Sequence, residues 1–135
     1  MMRITRAIEF SASLRCTRPD LSDDGNAELF GSRSRQHGHN YLLEVTLRGE
    51  PDPLTGMLLD FKELQEILDD EIMARFDHRD LNADTPYFEK VPPTTENLAQ
   101  VIQQILLAAL PEGMLDRIRL REDADSWVDL VEASP

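Results

Sequence analysis

The order of hydrophobic periodicities along this chain predicts an α+β fold, a four-stranded antiparallel sheet with two helices on one face. Three observations carry that prediction. Two long segments near the start alternate apolar and polar residues. Two central segments repeat apolar residues at helical spacing. Two short alternating segments, separated by a turn-rich tetrapeptide, close the chain.

The first strand is expected over residues 2–14. Ile4, Ile8, Phe10, Ala12 and Leu14 fall on one parity, while Arg3, Thr5, Glu9, Ser11 and Ser13 fall on the other. That is the pattern of a strand buried on one face. Residues 17–36 are rich in Pro, Gly, Asp, Asn and Ser and read as a long loop, anchored by Leu29 and Phe30. The second strand covers 39–48 and is entered through His37 and Gly38. Its parity places His37, His39, Tyr41, Leu43, Val45 and Leu47 on one side. The turn residues of 50–56 end it.

A helix is predicted over 60–75, where Phe61, Leu64, Ile67, Leu68 and Ile72 recur at helical spacing. Asp60, with Glu63 three residues on, resembles a capping arrangement. Residues 77–93 form a loop. A second helix begins after Thr94-Thr95-Glu96, where threonine can cap and glutamate suits the N-terminal dipole. Its buried stripe is Leu98, Val101, Ile102, Ile105 and Ala109, and Pro111-Glu112-Gly113 stops it. The last two strands are predicted at 118–122 and 127–131, joined by a turn at 123–126. Strands at both ends leave sheet edges that a second copy can pair with, so a homo-oligomer is expected.

At 135 residues and 41% hydrophobic, the chain is expected to form a single domain over 1–135. A net charge of −12 repels phosphate backbones and anionic membranes, which disfavours nucleic acid and membrane partners. One cysteine, Cys16, excludes an internal disulfide framework and suits a reducing compartment. Charges interrupt every apolar run of MMRITRAIEF, and nowhere do eighteen apolar residues run together. A cytoplasmic location is expected.

Two of the three histidines lie in His37-Gly38-His39. Two strand positions span about 6–7 Å, a separation from which two imidazoles can lean onto one zinc ion. Gly38 leaves the opposite face bare, so another backbone can approach closely. The alternative is a polar strand entrance whose histidines stay solvated.

Several stretches together are similar to the 6-pyruvoyltetrahydropterin synthase family, which includes the bacterial 6-carboxytetrahydropterin synthases. They are Leu29-Phe30-Gly31, the HGHNY run at 37–41, the GEPDPLTGMLLDF run at 49–61, FDHRDLN at 76–82, PYF at 86–88, TTEN at 94–97 and RLRE at 119–122. The resemblance implies a tunnelling fold, in which subunits join sheets into an oligomeric barrel, as trimers or stacked hexamers with sites between subunits. It implies a pterin ligand of the dihydroneopterin triphosphate type, and a lyase reaction that releases triphosphate or acetaldehyde. It also implies a zinc ion held by three histidines.

Carried over by position, His37 and His39 match two zinc ligands and Asp77 with His78 match the acid–base pair. Thr94, Thr95 and Glu96 match the pterin-side segment, and Glu122 matches the glutamate that anchors the ring. A carboxylate takes two parallel hydrogen bonds from a pterin's ring nitrogen and amine, strengthened by its charge. An imidazole beside a carboxylate suits proton transfer.

Two positions depart from the family pattern. Leu14 stands where the third zinc histidine belongs, and Arg33 stands where the catalytic cysteine belongs. Leucine ligates nothing, and arginine cannot serve as a base. Cys16, one pleat beyond Leu14, is a candidate replacement ligand, with an inert buried thiol as the alternative. Arg33 near the site mouth is a candidate for an anionic substituent on the substrate, or else part of a solvated loop. Trp127 reads as core or interface. Two functions therefore remain open: a divergent synthase with a depleted zinc site, or a non-catalytic pterin- or purine-binding oligomer without metal.

Overall fold

The computed structural model describes residues 1–133. Its elements run β1 (Met2–Leu14), α1 (Asp23–Phe30), β2 (His37–Gly49), α2 (Phe61–Leu68), α3 (Ala74–Phe76), β3 (Arg79–Asp80), α4 (Thr95–Ala109), β4 (Leu115–Arg121) and β5 (Trp127–Val131). Among the described residues the sheet has five strands rather than the expected four, in the order β3-β1-β2-β4-β5. The added strand is two residues long and pairs parallel to β1 at Ala12 and Ser13. All other pairings are antiparallel.

The parity of β1 predicted its buried face. Ile8, Phe10, Ala12 and Leu14 are buried, and Ile4 packs at the core margin. On β2, Tyr41, Leu43, Val45 and Leu47 are fully buried on the same side. Phe10 stacks on Tyr41 at 5.1 Å between centroids and touches Phe76 at 5.9 Å. A register shift between Thr46 and Leu47 breaks the alternation, so that Val45 through Arg48 are all buried.

The segment 17–36 is not a continuous loop. It contains α1 and a 3₁₀ turn over Gly31–Ser34. Helix α1 has no apolar stripe; Asn26 is its only buried residue. Its start is set instead by Ser22, whose hydroxyl accepts from the Gly25 N–H, and by Asp23 and Asp24 in the first turn. Asn26 fastens the preceding chain, accepting from the Arg18 N–H and donating to the carbonyls of Arg18 and Leu21.

The helix expected over 60–75 is also not uniform. Asp60 caps α2 by accepting from the Lys62 N–H, but Asp69–Met73 form a π-helical turn before α3. Leu64, Leu68, Ile72 and Phe76 are fully buried along this composite helix. Phe61, expected on the buried stripe, is half exposed because it sits at the first position, beyond the core edge. Thr94 caps α4, accepting from the Asn97 N–H. Helix α4 packs on β4 and β5, while α2 and α3 pack on β1. No helix among the described residues is long and apolar enough to cross a membrane.

Candidate functional site

The hydrogen-bond register of β1 and β2 sets the histidine pair. His37 lies opposite Leu14, and His39 lies opposite Ala12. A Cβ at Gly38 would stand 3.0 Å from the Ala12 carbonyl oxygen, so the strands close here only because that side chain is absent. The two imidazoles meet edge to face, 5.1 Å between centroids. His37 Nδ1 lies 2.7 Å from the Arg35 carbonyl. A carbonyl only accepts, so Nδ1 carries a proton and Nε2 is not engaged in this bond. His39 Nε2 is buried and, among the described residues, has no hydrogen-bond partner, at 3.5 Å from Glu122 Oε1. Burial pushes the His39 pKa down, against the opposing pull of Glu122. His39 is therefore held neutral.

The three-histidine zinc site implied by the resemblance does not fit these residues. Leu14 occupies the position facing His37 and is buried among apolar neighbours. Cys16 is also buried, and burial raises its pKa and keeps it a thiol. Its backbone N–H bonds to the Arg33 carbonyl at 2.8 Å. Among the described residues, no three His, Cys, Asp or Glu side chains form a group able to hold a metal ion. The orphaned Nε2 of His39 is a donor without a completed set.

Glu122 follows the end of β4, where its N–H bonds to the Ser126 carbonyl and closes the hairpin. Its carboxylate points inward, with 10% of the side chain exposed. Thr95 Oγ1 donates to Oε1 at 2.9 Å from the first turn of α4. The Arg33 guanidinium straddles the same carboxylate, Nη1 to Oε1 at 3.1 Å and Nη2 to Oε2 at 3.5 Å. Burial alone would raise the Glu122 pKa. The hydrogen bonds from Arg33 and Thr95, with the charge of Arg33, outweigh it and hold the group below the ordinary carboxylate value. Glu122 therefore stays ionised through the neutral range.

These groups line a cavity of about 400 Å³ together with Thr94, Glu96 and Trp127. Trp127 is neither core nor a simple surface residue. It is 45% exposed on the cavity wall, with the Arg121 guanidinium 4.3 Å and that of Arg119 5.0 Å from its ring centroid. Its position at the start of the strand after the Glu122 hairpin was the available sequence signal.

Asp77 and His78 occupy a different place, at the β1 edge. Asp77 Oδ1 accepts from the Ser11 N–H at 3.0 Å, and the His78 N–H donates to the Ser11 carbonyl at 2.7 Å. The backbone of His78 lies in the left-handed region at φ 57°, a strained conformation for histidine. Its ring stands 83% exposed, with Nδ1 3.4 Å from Asp77 Oδ2. It lines an open groove of about 560 Å³ shared with Ser11, Gly38, His39 and Asn40. Within one chain, His39 is the link between the two depressions. It lines the groove, and its Nε2 reaches Glu122.

Asp80 holds this edge together. Its carboxylate accepts from Ser13 Oγ (2.9 Å), Gln36 Nε2 (2.6 Å), and the N–H groups of Asn82 (3.0 Å) and Ala83 (2.9 Å). Burial works to raise its pKa, and these hydrogen bonds overcome that and lower it. A depressed carboxylate contributes stability above its unfolded value and loses that contribution as pH falls through the folded one. Asp80→Asn is expected to cost about 1–3 kcal/mol at neutral pH. The gap from the parent protein should close in acid, and urea unfolding at both pH values measures this directly.

A family model described as 6-pyruvoyl tetrahydropterin synthase matches residues 3–133. The chain is 43% identical over 128 residues to the 6-pyruvoyl tetrahydrobiopterin synthase of Pongo abelii, covering 93% of this chain and 88% of that protein. The synthase of the same name from Homo sapiens is 42% identical over 128 residues, with the same coverage of 93% and 88%. The solved structure of Caenorhabditis elegans 6-pyruvoyl tetrahydropterin synthase superposes with a TM-score of 0.89 at 31% identity, covering 98% of this chain and 96% of that one.

Proposed function

Because the chain belongs to the 6-pyruvoyl tetrahydropterin synthase family and has its tunnelling fold, we propose that it takes a dihydroneopterin triphosphate-like pterin and acts as a carbon–oxygen lyase. The observation that carries this is the Glu122 carboxylate, ionised, largely buried and aimed into a cavity of pterin size. Glu122 takes the two parallel N–H groups of the ring, and Thr95 fixes the carboxylate's orientation. Thr94 and Glu96 wall the same cavity, and Trp127 offers it a flat apolar surface.

Asp77 and His78 handle protons at the substrate's side chain. The exposed ring of His78 projects from the edge of the sheet and serves the site of an adjoining copy. Asp77, fixed by Ser11, orients the imidazole. A trimer or hexamer supplies that juxtaposition, and the outer edge of β5 is available for strand pairing between copies. His37 and His39 are the residues that would take up a metal if a further ligand came from outside this set. The assembly works in the cytoplasm.

A second reading is a pterin-binding oligomer without turnover. It is supported by Leu14 opposite His37 and by Arg33 on the carboxylate. Incubating the protein with dihydroneopterin triphosphate, with and without zinc, separates the two. Triphosphate release supports the lyase. Stoichiometric binding without release supports the binding oligomer, and absence of binding overturns both.

A further inference from the structure

We propose that Arg33 is an internal substitute for the pterin edge, a side-chain plug that makes the site select pterins carrying an anionic tail. The inference rests on the reading of Glu122 as the pterin anchor. The amine and ring N–H of a pterin form a cyclic guanidine, and they address a carboxylate through two parallel N–H donors. The Arg33 guanidinium presents the same pair of donors to the two oxygens of Glu122, at 3.1 and 3.5 Å. Both cannot hold the carboxylate at once.

The surroundings make this contact displaceable. Glu122 is 10% exposed, so leaving it unpaired is costly, and the site is occupied when no ligand is bound. Arg33 is 57% exposed, so its release into water is cheap and the pair contributes little to folding. Its backbone is pinned in the 3₁₀ turn, since its carbonyl accepts from the Cys16 N–H. Release is therefore a rotation of the side chain and needs no loop movement. A neutral pterin expels the guanidinium into solvent. A phosphorylated pterin gives it a new bidentate partner as it leaves the carboxylate.

Titration of dihydroneopterin and of its triphosphate against the parent protein, Arg33→Ala and Glu122→Gln tests this. Arg33→Ala should tighten the neutral pterin about three- to tenfold and weaken the triphosphate by a similar factor, opposite signs that a merely structural role does not produce. Millimolar guanidinium ion added to Arg33→Ala should compete the neutral pterin away again. Shifts of one sign, or none, overturn the plug. If Glu122→Gln loses pterin while Arg33→Ala leaves the ratio of affinities unchanged, only the plug fails. If Glu122→Gln binds as the parent does, the anchor fails and the plug with it.

Discussion

Replacing Glu122 by alanine is expected to weaken pterin binding by about a hundredfold or more, since two charge-assisted hydrogen bonds of about 1.5–3 kcal/mol each are lost. The effect should fall on binding and hardly on folding. The carboxylate's partners in the free protein are the hydroxyl of Thr95 and the exposed guanidinium of Arg33. Arg33 returns to water at little cost. The hairpin is closed by the backbone of residue 122 rather than by its side chain. Calorimetric titration with a reduced pterin, alongside a thermal melt, separates the two quantities. Wild-type affinity in the alanine variant would remove Glu122 from the site.

Leu14→His is the second large effect, expected in metal affinity. Position 14 faces His37 across the β1–β2 ladder, and His39 lies one pleat along on the same side. An imidazole there completes three nitrogen donors on one face of the strand pair. Without metal, the substitution should destabilise the fold by about 1–3 kcal/mol, because a polar ring replaces buried leucine with no hydrogen-bond partner at hand. With zinc, that loss should be reversed, with affinity raised about a hundredfold or more over the parent. Metal analysis after dialysis and the zinc-dependent shift of the melting temperature both report it. A variant that melts early and ignores zinc would show that the strand pair does not position a third ligand.

The elements legible in the sequence are those whose packing repeats locally. Alternation gave the buried faces of β1 and β2, and helical spacing with Asp60 and Thr94 gave the starts of α2 and α4. Helix α1 escaped because capping by Ser22, not an apolar stripe, specifies it. Strand β3 escaped because two residues carry no period; it exists only where Arg79 and Asp80 meet Ala12 and Ser13. The site shows the same division. Motif and parity mark Glu122, His37 and His39 as candidates. The contact of Arg33 with Glu122, 89 residues apart, is a product of the folded chain. Nothing in the local sequence of either residue announces it.

The π-helical turn at Asp69–Met73 bears on where chain length can change. Such a turn holds one residue more than regular winding, and it absorbs that residue without the rotation of roughly 100° that an added residue would otherwise impose on everything beyond it. Phe76 therefore keeps its place against Phe10, and Asp77 its hold on Ser11. Removal of one residue between 69 and 73 would thus leave a more regular helix with Asp77 and His78 still at the sheet edge. This turn is where the helix tolerates a change of length without turning the ring away.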